Sequence, residues 1–246
     1  MKRFGIDIGG SGVKGAPVDL DKGKLLTERF RILTPQPSTP RAVGQVVKEI
    51  LDHFEWQRPF GCAMPSVVRR GIVESAANID KSWIGVDGAA LFSEITGRKV
   101  SLLNDADAAG LAELKFGAAR KEEGLVILLT FGTGIGSAMF IDGTLVPNTE
   151  LGHLEFKGIP AEHYAAGRLH EEEEGDLSFH EWGDRVAEYL RHLERLFSPD
   201  LFVIGGGISK QYSEFHDRLQ VATKVVPAKL RNEAGIVGAA LASPRK

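Results

Sequence analysis

Two short glycine turns, each following an apolar run, restrict what this chain can fold into more than any other feature. The first lies in Phe4-Gly5-Ile6-Asp7-Ile8-Gly9-Gly10-Ser11-Gly12-Val13-Lys14-Gly15. It reads as a strand, a turn and a second strand beginning at Val13. Gly9, Gly10 and Gly12 lack a Cβ, so a bulky anion can approach the backbone N–H groups closely. Ser11 adds a hydroxyl, Lys14 a cation, and Asp7 brings a carboxylate to the edge of the turn. That set suits a polyphosphate chain with a metal ion beside it. The second turn, Gly132-Thr133-Gly134-Ile135, repeats Gly10-Ser11-Gly12-Val13. Both copies run on into another strand and a further turn, Asp19-Leu20-Asp21-Lys22-Gly23 and Asp142-Gly143. Flanks that keep register together with the glycines predict two copies of one supersecondary unit.

Other phosphate motifs do not fit. Gly10 to Gly15 spells G-x-G-x-x-G, but the dinucleotide fingerprint must open a helix. Residues 13–18 contain Pro17 and alternate as a strand does. No G-x-x-x-x-G-K-[ST] occurs, so hairpin turns are expected to hold the phosphates.

The remaining pattern is α/β. Strands are expected over 25–32, 60–64, 71–75, 100–103, 125–131, 137–141, 145–147 and 201–204. Thr39 with Pro40 predicts a helix start, running to about Phe54 with Val43, Val46, Val47, Ile50 and Leu51 on one face. Further helices are expected over 87–96, 106–116, 181–196, from Ile208-Ser209 onward, and in the small-residue tail 234–241. The run Glu171-Glu172-Glu173-Glu174 reads as solvated. His163, His170, His180 and His192 read as ordinary surface or core histidines, and Arg69, Arg70 and Lys81 as surface charge.

At 246 residues the chain has room for one large or two medium domains. A net charge of −3 without a basic stripe argues against nucleic acid as a partner. The one cysteine, Cys62, excludes a disulfide within the chain and points to a reducing compartment. The N-terminus carries charge where a signal peptide has its apolar core, and no apolar run approaches the roughly 20 residues that span a bilayer. A cytoplasmic protein without a membrane partner is the expectation.

Five stretches in order resemble the ROK group of sugar kinases. Asp7-Ile8-Gly9-Gly10 is similar to its first phosphate motif and Gly132-Thr133-Gly134-Ile135-Gly136 to its second. Asn104-Asp105-Ala106 resembles its catalytic stretch, Glu150-Leu151-Gly152-His153 its sugar loop, and Gly205-Gly206-Gly207-Ile208-Ser209 its adenosine-site turn. The resemblance implies a two-lobed α/β fold of the ribonuclease H-like type shared by actin and hexokinase, with a cleft between the lobes. One lobe would span 1–115, completed by 232–246, and the other 116–231.

The roles follow from the same resemblance. Asp105 would be the base for a sugar hydroxyl, although from the residues alone Asn104 or Asp105 is equally well read as a helix cap. Asp107 is expected on the helix surface. Asn78, Asn104, Asp105, Glu150, His153 and Glu162 would bind the sugar. Gly9, Gly10, Ser11, Gly12 and Lys14 would hold one phosphate group, and Gly132, Thr133 and Gly134 another. Read by itself, Lys14 is also a plain solvated lysine. Gly205, Gly206, Gly207 and Ile208 would border a nucleotide, and Asp7 would hold Mg²⁺ through water.

The chain also departs from the group's pattern. No cysteine follows Cys62, so the zinc loop usual after Glu-Leu-Gly-His is not expected, and residues 156–161 form a short loop instead. With Asn78-Ile79-Asp80-Lys81-Ser82-Trp83, this resembles the group's bacterial polyphosphate glucokinases. The implied reaction moves a phosphoryl group from inorganic polyphosphate, with ATP as a second donor, to the 6-hydroxyl of glucose, with mannose as a further candidate acceptor. A strictly ATP-dependent hexose kinase is the alternative, and a sugar sensor the non-enzymatic one. Only six residues precede Asp7, so the DNA-binding module of the group's repressors is not expected. A homodimer is compatible with the resemblance.

Overall fold

In the computed structural model of the chain, residues 1–170 and 177–244 are described. The acidic run 171–174 lies outside them. The chain divides into two units. One is Met1–Ala112 together with Glu233–Lys246, and the other is Glu113–Asn232.

In the first unit, β1 (Lys2–Ile8) and β2 (Val13–Asp19) form an antiparallel pair. Ile8 faces Val13 and Asp7 faces Lys14, so the first glycine turn closes directly on the Asp7–Lys14 pair. The strand expected over 25–32 is two pieces, β3 (Lys24–Leu25) and β4 (Phe30–Ile32), which pair with opposite ends of β2. Residues 26–29 between them are exposed, so no burial holds them to a pleat. Helix α1 (Pro40–His53) buries the predicted apolar face, although Thr39 makes no side-chain cap bond. Strand β5 (Phe60–Met64) is buried throughout and parallel to β1. The strand expected over 71–75 is instead half of a small hairpin, β6 (Val68–Arg69) and β7 (Ile72–Val73). It turns at Arg70 and Gly71, both with positive φ. Helix α2 (Gly88–Thr96) is capped by the Asp87 carboxylate, which accepts from Ala90 N at 2.8 Å. Strand β8 (Val100–Asn104) runs parallel to β5 and passes straight into α3 (Asp105–Phe116).

The second unit repeats the plan. Strands β9 (Leu125–Phe131) and β10 (Ile135–Ile141) are antiparallel around the second glycine turn, followed by β11 (Thr144–Val146). A small hairpin, β12 (Glu155–Phe156) and β13 (Ile159–Pro160), leads to α4 (Ala161–Ala165). Helix α5 (Phe179–Phe197) starts at a capping box made by Ser178 and Glu181. Strand β14 (Leu201–Gly205) is parallel to β9, and β15 (Lys224–Pro227) to β14. The sheet orders are β3-β2-β1-β5-β8 and β11-β10-β9-β14-β15. In each, an antiparallel pair carrying a glycine turn is followed by two parallel strands, which is the duplication the repeated turn predicted.

The helix expected from Ile208 is a run of 3₁₀ turns, Gly207–Glu214, kinked at Gln211. Ser209 is the only buried residue in it, so no apolar stripe draws it into a regular helix. The last helix, α6 (Ala234–Ala242), returns to the first unit and packs on β1 and β5. Each unit has its own core, with Phe4, Ile6, Phe60 and Trp83 in one and Phe131, Trp182, Tyr189 and Phe202 in the other. No helix among the described residues is long and apolar enough to cross a membrane.

Candidate functional site

On the first unit, the turn after β1 is held by Gly9 N donating to Gly12 O at 3.0 Å and Thr34 Oγ1 donating to Gly9 O at 2.6 Å. Gly10 and Ser11 are left exposed at its tip. Asn78 is brought beside it, since a Cβ on Gly10 would lie 3.5 Å from the Asn78 carbonyl oxygen. Lys14 Nζ lies 3.6 Å from Asp7 Oδ2. Burial raises the Asp7 carboxyl above its usual range, while Lys14 and, more weakly, Arg29 pull it down. A cation beside this carboxylate would favour its charged form. Among the described residues no group of three or more His, Cys, Asp or Glu forms a metal cage. A single carboxylate next to an exposed glycine turn does fit Mg²⁺, which keeps most of its waters and is usually held by one or two carboxylates plus substrate phosphates.

The start of α3 separates two residues that sequence left entangled. Asn104 is buried, and its Oδ1 accepts from Ala106 N at 2.8 Å and Asp107 N at 3.0 Å. Its Nδ2 donates to Ser66 O at 3.2 Å. Asn104 is therefore the helix cap, and only one amide N–H remains for a ligand. Asp105 is half-buried and sits at the helix N-terminus, where the dipole favours a carboxylate. Its Oδ1 accepts from Ala106 N at 2.8 Å. Asp107, expected at the surface, is buried at 2% exposure. It lies next to Ala108, whose carbonyl oxygen packs closely against Gly238 of α6.

On the second unit, Gly132 N donates to Gly134 O at 3.0 Å, closing the second turn. Glu162, in the first turn of α4, accepts from Ile135 N at 3.4 Å, directly behind that turn. His153 stands between two carboxylates, with Nδ1 3.8 Å from Glu150 and Nε2 3.7 Å from Glu162. So Glu150, His153 and Glu162 form one cluster. Ser137 Oγ accepts from Leu151 N at 3.0 Å, and Tyr189 OH donates to Leu151 O at 2.8 Å, which anchors the loop to β10 and α5. Burial raises the Glu150 carboxyl; His153 opposes this and Glu162 adds to it. Gly206 has φ 82°, and a Cβ there would lie 2.5 Å from the Phe131 carbonyl oxygen. The Gly205-Gly206-Gly207 turn thus lies against the end of β9, next to the second glycine turn. Ile208 follows it, half-buried.

Two arginines were not found by sequence reasoning. Arg31 Nη2 donates to Ser11 O at 3.1 Å, and Arg168 Nη1 donates to Thr133 O at 2.7 Å. Ser11 and Thr133 are equivalent positions of the repeat, so each turn has a guanidinium braced on the carbonyl of its hydroxyl residue. Arg31 is placed by the β2–β4 register opposite Lys14. Arg168 is placed by its own N–H donating to Gly132 O at 3.1 Å. No local motif carries either position.

Comparison with known proteins identifies the family. The ROK family model matches residues 3–168. A polyphosphate glucokinase of Mycobacterium tuberculosis is 51% identical over 98% of this chain and 90% of its own length. The crystal structure of an inorganic polyphosphate/ATP-glucomannokinase from Arthrobacter superposes with a TM-score of 0.92 at 49% identity, covering 98% of this chain and 97% of that one. A ROK family glucokinase from Streptomyces griseus, solved with glucose and AMPPNP, gives a TM-score of 0.81 at 25% identity and 99% coverage of both chains. These neighbours have the actin/hexokinase type of α/β fold.

Proposed function

The chain belongs to the ROK family, and from that membership we propose that it is a polyphosphate-dependent glucokinase. It transfers a terminal phosphoryl group from inorganic polyphosphate, and also from ATP, to the 6-hydroxyl of glucose. The observation that carries this reading is 51% identity over 98% of the chain to a polyphosphate glucokinase. Mannose, the 2-epimer of glucose, is a second acceptor under the same reading.

Phosphoryl transfer rests on positioning and charge neutralisation. On the first unit the N–H groups of Gly10, Ser11 and Gly12 are donors for phosphate oxygens; on the second unit those of Thr133 and Gly134 are, with Gly132 shaping the turn through its own bond to Gly134 O. The Ser11 and Thr133 hydroxyls and the Lys14 ammonium add to these. Mg²⁺, held through water by Asp7, would offset the charge of the donor. Glu150, His153 and Glu162 with Asn78 pair with the sugar hydroxyls, and Asn104 offers its remaining amide N–H. Selectivity follows because an absent hydroxyl leaves a buried group unpaired. Asp105 accepts the 6-hydroxyl proton as that oxygen attacks the terminal phosphorus. The bridging P–O bond then breaks, leaving a polyphosphate one unit shorter, or ADP.

The test is formation of glucose 6-phosphate by purified protein with Mg²⁺, with polyphosphate and ATP as separate donors. Product with polyphosphate is expected. Product with ATP alone would leave the ATP-dependent alternative, and no product with either donor would remove the reading.

Arg31 and Arg168 brace the turns and present their remaining N–H groups to phosphate oxygens. Charge-assisted bonds of this kind are worth about 1.5–3 kcal/mol. Arg31→Ala or Arg168→Ala should therefore raise the donor KM by roughly tenfold or more, with the glucose KM little changed. Lysine at either position should recover only part of the loss, because it lacks the planar fork. Unchanged donor kinetics in both alanine variants would limit the arginines to shaping the turns.

A further inference from the structure

The second unit holds a cavity of ≈ 1070 Å³ whose lining includes Ser209 and Lys210, shortly after the Gly205-Gly206-Gly207 turn in the chain. Six cations line it: Arg120, Lys121, Lys210, Lys224, Lys229 and Arg231. All six are exposed. Among the described residues, one acid, Glu122, lines it as well, and it pairs with Lys224 at 3.0 Å. This surplus of positive charge stands on a chain whose net charge is −3.

The walls are built, not loose. Glu113 is fully buried, and its two carboxylate oxygens accept from Ala118 N and Leu230 N, each at 2.6 Å. One carboxylate thereby ties the loop bearing Arg120 and Lys121 to the loop bearing Lys229 and Arg231. Lys121 and Arg231 hold the left-handed backbone, with φ of 69° and 49°, a conformation uncommon for residues other than glycine and found at ligand clamps. The third wall follows the glycine turn: Ser209 Oγ donates to Gly206 O at 2.8 Å, and Lys210 is next in the chain. Gly206 itself lies against Phe131, the residue before the second phosphate turn.

We propose that this cavity is the binding track for the distal part of an inorganic polyphosphate chain, the phosphates remote from the one transferred. The proposal rests on the polyphosphate reading above and deepens it. A linear polyanion presents a charge at every phosphorus, so it gains from a row of cations spread along a groove. ATP carries its charge at one end only and uses few of them. Gly206 lies against Phe131 beside the second glycine turn and accepts from Ser209, which lines the cavity, so under this proposal the cavity takes the chain onward from Thr133 on the same unit.

The experiment compares wild type with Lys229→Gln/Arg231→Gln and with Arg120→Gln/Lys121→Gln, using long-chain polyphosphate, tripolyphosphate and ATP as donors. For each double variant, the KM for long-chain polyphosphate should rise on the order of tenfold relative to the KM for tripolyphosphate. The slope of log KM against log salt for the long chain should fall by roughly 0.7–0.9 per cation removed, as counterion release dictates. An equal rise for all three donors, a rise with ATP alone, or no change would overturn the proposal. Calorimetric titration of long-chain polyphosphate separates the two layers of the argument. If wild type forms no glucose 6-phosphate from polyphosphate, yet binds it more tightly than the variants do, the kinase reading fails and the track stands. Equal binding by wild type and variants removes the track whatever the activity.

Discussion

Asp105→Asn should lower turnover by about 10³-fold with either donor, within the 10²–10⁴ range of general acid–base catalysis, while the glucose KM stays within a factor of a few. The substitution is close to isosteric and keeps an oxygen that can accept from Ala106 N, so the start of α3 is preserved. Helix capping is not at stake either, since Asn104 carries it through Ala106 N and Asp107 N. What disappears is the only part of the side chain that can take a proton. A loss in kcat without a matching loss in glucose binding is the signature of a group acting in the transition state. Single-turnover kinetics and equilibrium glucose binding measure the two separately. Near-normal turnover would remove Asp105 from the role of base. Loss of glucose binding in step with turnover would make it a sugar ligand first.

Gly238→Ala should cost the first unit about 3 kcal/mol or more. A Cβ at Gly238 would stand 1.7 Å from the Ala108 carbonyl oxygen, so α6 and α3 would have to separate. The opposite face of α6 is as tight, because a Cβ on Gly61 of β5 would stand 1.7 Å from the Ala239 carbonyl oxygen. Neither contact is with a side chain that can swing away. Overpacking a core commonly costs 1–3 kcal/mol, and a helix wedged by backbone on two sides belongs at or above the top of that range. The roughly 1 kcal/mol of helix propensity gained by alanine over glycine is smaller. Set against a typical total stability of about 5–15 kcal/mol, the variant should melt roughly 6–12 °C lower or fail to accumulate as folded protein. Gly207→Ala is the control, since a Cβ there meets nothing within 4 Å and should shift melting little. Equal melting of both variants would show that α6 is not packed this closely.

Much of the candidate site can be read locally. A glycine turn between two apolar strands needs only its own dozen residues, and the recurrence of Gly10-Ser11-Gly12-Val13 at Gly132 foretold two sheets of one plan. Asp87 before α2 is likewise a local signal. So is the Ser178-x-x-Glu181 box, although periodicity placed that helix two residues late. Local reading failed wherever the deciding neighbour was distant along the chain. The division of 25–32 into two strands depends on which end of β2 each piece meets. The burial of Asp107 depends on how α3 lies in its unit.

The chain's order of residues was enough to state that two glycine turns of one plan exist, that Asp7 flanks one of them, and that a carboxylate heads α3, because each is written in a short stretch whose backbone preferences act on neighbours. Folding alone settled that Asn104 takes the capping bonds beside Asp105, that Arg31 and Arg168 each brace one turn, and that Glu113 joins two loops into a cationic cavity. Those contacts span from 2 to 117 positions, and the longer ones arise from strand register and helix packing, which no local pattern encodes.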